Sequence, residues 1–208
     1  AFDNLLRLNM EIISQSRNSC HHPNQSLRKD QMRLLLSALF FWATVTNVSA
    51  SNLFELNAPD IDGSDLPLSE FKGKVVLVVN TASRCGFTPQ YEAMEEIFQK
   101  YRNQGFVVLG FPSNDFHQEL SSNEEIKEFC EGYRISFPLF ASSSVVGSNK
   151  QAVYEFLTNS SAYPAMRGEV RWNFEKFLVD RNGQVIARYP STVSPKHPQL
   201  LNDIEKLL

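Results

Sequence analysis

The sequence predicts an α/β fold, a central mixed β-sheet flanked by helices, and three features carry that expectation. Val75 to Val79 (VVLVV) and Phe106 to Phe111 (FVVLGF) are unbroken apolar runs rich in β-branched residues, the mark of strands buried on both faces. Between them Tyr91, Met94, Phe98 and Tyr101 recur at helical spacing. Strand, helix and strand in that order imply parallel strands joined by a right-handed crossover. Further along, Arg181-Asn182-Gly183 separates two more strand-like runs, and Asn-Gly is a strong hairpin signal. That adds an antiparallel pair and makes the sheet mixed.

Taken in order, LFELNAPDIDG (53–63) reads as short strand material interrupted by Pro59 and ended by Asp62-Gly63. After the strand at 75–79 and the loop Thr81 to Thr88, Pro89 sits at a plausible first helical position, and Gly105 stops the helix. Ser122-Asn123-Glu124-Glu125 fits a capping box, with Ile126, Phe129, Cys130 and Tyr133 following on one helical face. FPLF (137–140) is a short extended piece and Gln151 to Leu157 another helix. Phe174 to Val179 and Gln184 to Tyr189 are the hairpin strands. His197 to Leu208 closes the chain as an amphipathic helix with Leu200, Leu201, Ile204 and Leu207 facing inward. A βαβ unit, a hairpin and a final helix is the order of a thioredoxin-like fold.

Composition excludes several classes. Of 208 residues 42% are hydrophobic and 21% charged, and 16 Phe, 6 Tyr and 2 Trp offer ample area to bury, so a disordered chain is disfavoured. A net charge of -3 gives no electrostatic footprint for nucleic acid or anionic lipid. Three cysteines are too few for a disulfide scaffold, and with four His they show no zinc-finger spacing, so no metal is expected.

The amino end holds more than one domain needs. Residues 1–31 are polar without sustained periodicity, read as a disordered arm or a gene-model extension, and Cys20 with His21-His22 in it is assigned no function. The apolar run Leu34 to Val48, 15 residues, is shorter than the roughly 20 of a membrane-spanning helix. Lys29 and Arg33 flank it and Val48-Ser49-Ala50 is a small-residue cleavage pattern, so 32–50 is read as a signal peptide. An exported domain, 51–208, would follow, with no stable membrane insertion.

Cys85 is the first residue to weigh for chemistry. It lies in Ser83-Arg84-Cys85-Gly86-Phe87, between a buried strand and a helix start. Loops at the carboxyl ends of parallel strands line the crevice where α/β proteins place their sites. A helix amino terminus favours thiolate, the reactive form. A dithiol reductase needs a second cysteine in C-x-x-C, and Thr88 stands there instead. The other route is attack on a peroxide, giving a sulfenic acid that a second thiol condenses with. Cys130, 45 residues downstream, is the remaining candidate for that thiol, and equally a small apolar core residue.

Four blocks, NTASRCGFTPQY (80–91), GFPSNDFHQE (110–119), EEIKEFC (124–130) and WNFEKFLVDRNG (172–183), resemble those of the glutathione peroxidases in order and spacing, from about Leu53 to Leu208. The resemblance implies a thioredoxin-like domain that reduces hydrogen peroxide and organic or lipid hydroperoxides, a role in oxidative stress defence. It implies Cys85 as the peroxidatic residue, with Gln118, Trp172 and Asn173 completing the catalytic group. Their neutral N–H donors can stabilise a thiolate and orient a peroxide. Without the resemblance, Trp172 reads as a core aromatic, Asn173 as a turn residue and Gln118 as an ordinary loop polar group. Cys130 matches the resolving cysteine of members that take electrons from thioredoxin rather than glutathione. The short stretch between Tyr154 and Trp172 implies a monomer, or at most a weak dimer, and no metal or organic cofactor is implied, only a thiol co-substrate, glutathione or thioredoxin.

The second block departs from the family form FPCNQFGxQE. Ser113 replaces a frequent cysteine, Asp115 a glutamine, and one residue is missing before His117-Gln118. Such a deletion can swing Gln118 away from the sulfur, and a carboxylate at 115 near the sulfur would raise its pKa. His117 is read as an exposed loop residue, with a proton relay as the other reading. Three rivals stay open: a one-cysteine enzyme resolved by glutathione, a peroxide-sensing relay that passes oxidation to a partner protein, and a member disarmed by the altered loop.

Overall fold

The structure is a computed structural model that describes residues 50–159 and 166–208. The expected arm, and all of the expected leader except Ala50, lie outside the described residues. Among the described residues are six strands, β1 (Asn57–Pro59), β2 (Asp65–Pro67), β3 (Val75–Thr81), β4 (Phe106–Pro112), β5 (Lys176–Val179) and β6 (Val185–Tyr189), and four α-helices. The helices are α1 (Gln90–Tyr101), α2 (Asn123–Gly132), α3 (Ala152–Asn159) and α4 (Pro198–Leu207). β4-β3-β5-β6 form a four-stranded sheet, parallel between β3 and β4 and antiparallel elsewhere, as the sequence predicts.

β3 is the hinge of this topology. Its seven residues are all buried, and alternate side chains enter opposite apolar layers: Val76 and Val78 one, Val75, Leu77 and Val79 the other. α3 packs in the first layer through Val153, Tyr154 and Leu157. The second holds α1 (Tyr91, Met94, Ile97), α2 (Ile126, Cys130) and α4 (Leu200, Ile204), together with Cys85. Leu201 and Leu207, expected inside, are only half-buried at its margin.

Local chemistry accounts for the boundaries. Ser122 caps α2 by accepting from Glu125 N at 3.2 Å, while Glu125 reaches back to Ser121 N at 3.0 Å, a capping box displaced by one residue. The hairpin turn is closed by Asp180, whose Oδ1 accepts from Asn182 N and Gln184 N at 2.9 Å each. Gly183 is needed there: its φ is +83° and an added Cβ would lie 2.9 Å from Phe54. Gly110 in β4 lets the 137–140 segment approach, since a Cβ would meet Leu139 at 2.7 Å. One expectation is corrected. Leu53–Glu55 is a 3-10 turn, not strand, because Asn52 Oδ1 accepts from Phe54 N at 3.0 Å and caps it.

Candidate functional site

The site forms where three segments meet beyond the carboxyl end of β3. The first is the loop 82–88, stapled by Thr88. Its Oγ1 accepts from Cys85 N at 3.0 Å and donates to Ala82 O at 2.9 Å, and its N donates to Cys85 O at 3.0 Å. The position that would hold a second thiol in a dithiol reductase thus holds the hydroxyl that fixes the loop. Cys85 is 7% exposed between exposed Arg84 and Gly86, and its Sγ accepts from Phe87 N at 3.4 Å. A backbone donor aimed at sulfur stabilises negative charge there.

The second segment carries Gln118. The shortened loop turns tightly, with His117 exposed at φ +57° and its N bonded to Asn114 O at 2.9 Å. The backbone oxygen of Gln118 accepts from Arg84 N at 2.8 Å, which ties it to the Cys85 loop, and its side-chain Oε1 accepts from Asn173 Nδ2 at 3.0 Å. Asp115 is anchored by Ser113 Oγ at 3.0 Å, Ser144 Oγ at 3.1 Å and Val145 N at 2.6 Å. Its side-chain oxygens are thus held by donors within its own loop and the 144–146 segment. Glu119 is the acid bonded to the Cys85 loop: Oε1 accepts from Ser83 N at 2.9 Å and Leu120 N at 2.8 Å. Burial pushes its carboxyl above the ordinary value, and those bonds pull it back.

The third segment is the corner leading into β5. Asn173 is fully buried, so it is more than a turn residue, whereas Trp172 is 40% exposed and is not core. The indole ring leans on Phe116, 5.2 Å between centroids. Phe174, at φ +64°, turns the chain between them and the strand. Gln118 and Asn173, 55 residues apart in sequence, are therefore brought together beside the Cys85 loop, with Trp172 at the surface next to them.

Cys130 is placed differently. It is 1% exposed on the inner face of α2, and both cysteines are free thiols. Burial pushes its thiol up to about 11, with the Tyr91 hydroxyl pulling the other way and the Glu119 carboxylate adding to the rise. Residues that the sequence reading passed over are Asn80, Thr88, Glu119 and Lys176. Each lies inside a quoted block, which was the available signal.

Among the described residues no group of three or more His, Cys, Asp and Glu could hold a metal ion, and no helix is long and apolar enough to cross a membrane. Residues 53–158 match the model of the family described as glutathione peroxidase. The chain is similar to the glutathione peroxidase-like peroxiredoxin gpx1 of Schizosaccharomyces pombe, 51% identical over 76% of this chain and 99% of that protein. It is also similar to the hydroperoxy fatty acid reductase gpx1 of Synechocystis, 44% identical over 79% of this chain and all 100% of that one. Among solved structures, the apo form of Trgpx is 36% identical with a TM-score of 0.61 over 76% of this chain and 96% of its own. The T. cruzi GPX1 structure is 31% identical with a TM-score of 0.57 over 75% and 94%.

Proposed function

Since the chain belongs to the glutathione peroxidase family, we propose that Cys85 is the sulfur on which it reduces hydroperoxides. The enzyme is a thiol-dependent peroxidase, and what the geometry adds is how this chain arranges the step. The Cys85 thiol gives up its proton and the thiolate attacks the distal oxygen of ROOH. The O–O bond breaks, and the departing RO− takes up that proton and leaves as ROH, so the sulfur is oxidised by two electrons to sulfenic acid. Gln118 accepts from Asn173 with its oxygen, which leaves its own N–H groups as donors. Those, the Trp172 indole N–H and the Phe87 N–H contact to sulfur are uncharged donors suited to a thiolate and to the departing oxygen. The observation that carries this assignment is the bonded sequence Asn173–Gln118–Arg84, which ends one residue from Cys85.

The second step gives Cys130 its role. Its thiol condenses with the sulfenic acid: the S–O bond breaks, an S–S bond forms, and water leaves with the thiol proton. A dithiol such as thioredoxin then reopens the disulfide, and glutathione acting directly on Cys85 is the alternative. The sulfur carries the electrons, so these steps ask for no prosthetic group. The name of the Synechocystis relative, a hydroperoxy fatty acid reductase, supports organic hydroperoxides beside hydrogen peroxide as substrates. Relatives named as peroxiredoxin and reductase favour turnover over a sensing relay. Export by the leader at 32–50, supported by the apolar run and the Val48-Ser49-Ala50 pattern, and a monomer, supported by the short stretch between Tyr154 and Trp172, complete the proposal.

The test is to give the purified chain one equivalent of hydrogen peroxide, map the linkage by mass spectrometry, and compare recovery by thioredoxin and by glutathione. A Cys85–Cys130 disulfide reopened by thioredoxin is expected. An unmodified Cys85 defeats the proposal.

A further inference from the structure

Two buried polar side chains are used by neither step, and both bond to the same corner. Asn80 is fully buried near the end of β3, five residues before Cys85. Its Nδ2 donates to Trp172 O at 3.1 Å, its Oδ1 accepts from Glu175 N at 3.0 Å, and its backbone oxygen accepts from Phe174 N at 2.7 Å. Lys176 is fully buried in β5, and its Nζ donates to Phe174 O at 2.7 Å. A lysine without access to water is an expensive way to fill space that a methionine would fill more cheaply.

The corner they hold is itself strained. A bulky residue in the left-handed region is unfavourable and persists where its surroundings over-determine it. Phe174 at φ +64° is that residue, and its amide and its carbonyl are both claimed, by Asn80 and by Lys176. The next residue is tied as well: Glu175 accepts from Arg188 Nε at 2.7 Å and from Arg171 N at 2.8 Å. This turn is what sends Asn173 inward and Trp172 outward. Because Asn80 belongs to the strand that runs into the Cys85 loop, its bonds to Trp172, Phe174 and Glu175 tie the corner to that strand.

We propose that Asn80 and Lys176 are positioning residues, which clamp the Trp172–Asn173 corner to the end of β3 and so hold the donors in register with Cys85. This rests on the assignment of Cys85 as the peroxide-reducing sulfur. Peroxide needs oriented donors, whereas iodoacetamide needs only a reachable thiolate. The ratio of the two rates at Cys85 therefore reads position separately from reactivity and from folding. Misplacement of a reacting group by about 1 Å can cost on the order of a hundredfold. In Asn80→Ala that ratio should fall at least about tenfold, and in Lys176→Met about threefold or more. In a Trp42→Phe background, acrylamide quenching of Trp172 should change in both.

Ratios within twofold of wild type in both variants, with unchanged Trp172 quenching, overturn the clamp. Should Asn80→Ala not fold, Lys176→Met carries the same decision, because methionine keeps the lysine stem's volume and removes only the donor. Wild type and Cys85→Ser are measured alongside. A wild type whose Cys85 does not react with peroxide overturns the functional assignment and takes the clamp with it. A reactive wild type with unaffected variants overturns the clamp alone.

Discussion

Cys85 and Cys130 pack into the same apolar layer, yet the backbone around them differs at every level. Cys85 sits in a loop stapled by a hydroxyl, flanked by exposed residues, with an amide N–H at its sulfur. Cys130 sits inside a helix, 1% exposed, and its thiol is pushed up to about 11, which leaves about a hundredfold less thiolate at neutral pH than an ordinary cysteine carries. The difference separates two demands. Under the proposed mechanism the first sulfur must meet a small oxidant at once, and the second must stay silent until there is a sulfenic acid to attack.

Removing each sulfur tests that division hardest. Cys85→Ser should abolish hydroperoxide reduction, by about a thousandfold or more, since serine has no comparable nucleophile. Cys130→Ser should cut thioredoxin-linked turnover about a hundredfold while the first oxidation of Cys85 stays within twofold. A stopped-flow oxidation followed by a coupled steady-state assay reads both. If Cys130→Ser turns over normally with thioredoxin, Cys130 is an apolar core residue and the comparison collapses. Survival with glutathione alone would mark the one-cysteine route.

The pH dependence sharpens the contrast on the side of Cys130. Its pKa is raised in the folded chain from an ordinary 9.0 to about 11, so the folded state holds its proton over a range where the unfolded state has lost it. Its contribution to stability is complete below about pH 9 and is lost as pH rises to about 11, an amount of about 2–3 kcal/mol. Denaturant midpoints of wild type should therefore fall more between pH 9 and 11 than those of Cys130→Ala. Cys130 labelling by iodoacetamide should climb about tenfold from about pH 9 to 10 and about fivefold more by about pH 11. Equal slopes for the two proteins would show that burial does not set this thiol.

What was legible in the sequence was what local chemistry writes. VVLVV, the 91–101 periodicity, Ser122 and Asn182-Gly183 each specify their element through neighbours a few residues away, and those elements are where the sequence put them. Leu53–Glu55 was misread because one Asn52 side-chain bond outweighed a weak strand pattern. The site was legible only as separate blocks. That Trp172 lies outward and Asn173 inward depends on Asn80, 92 residues before Trp172, and on a left-handed Phe174 that no composition reveals. Lys176 looks like the polar position of a strand, and its burial follows from sheet pairing with Val79 and Tyr189 on either side. The tie between Gln118 and the Cys85 loop is likewise a backbone bond to Arg84 that loop length does not reveal.

The smallest effect expected lies at the carboxyl end of α2, where the protection of Cys130 has its weakest support. Ile135 N donates to Cys130 O at 3.1 Å and Arg134 N to Glu131 O at 2.8 Å, the paired bonds of a Schellman cap. Such a cap wants glycine at its left-handed position, and Arg134 occupies it at φ +57°. The cap that closes over Cys130 thus works against backbone strain of about 1 kcal/mol. Arg134→Gly relieves it, stabilises the helix end by about that amount, and makes the last turn open about fivefold less often. If Cys130 reaches the sulfenic acid through that opening, disulfide formation after a peroxide pulse should slow about fivefold while the preceding oxidation of Cys85 keeps its rate. Arg134 is exposed, so the substitution removes no core contact that could confuse the result. An unchanged rate of disulfide formation, in a protein whose unfolding midpoint has risen, would mean that Cys130 is released by some route other than its own helix end.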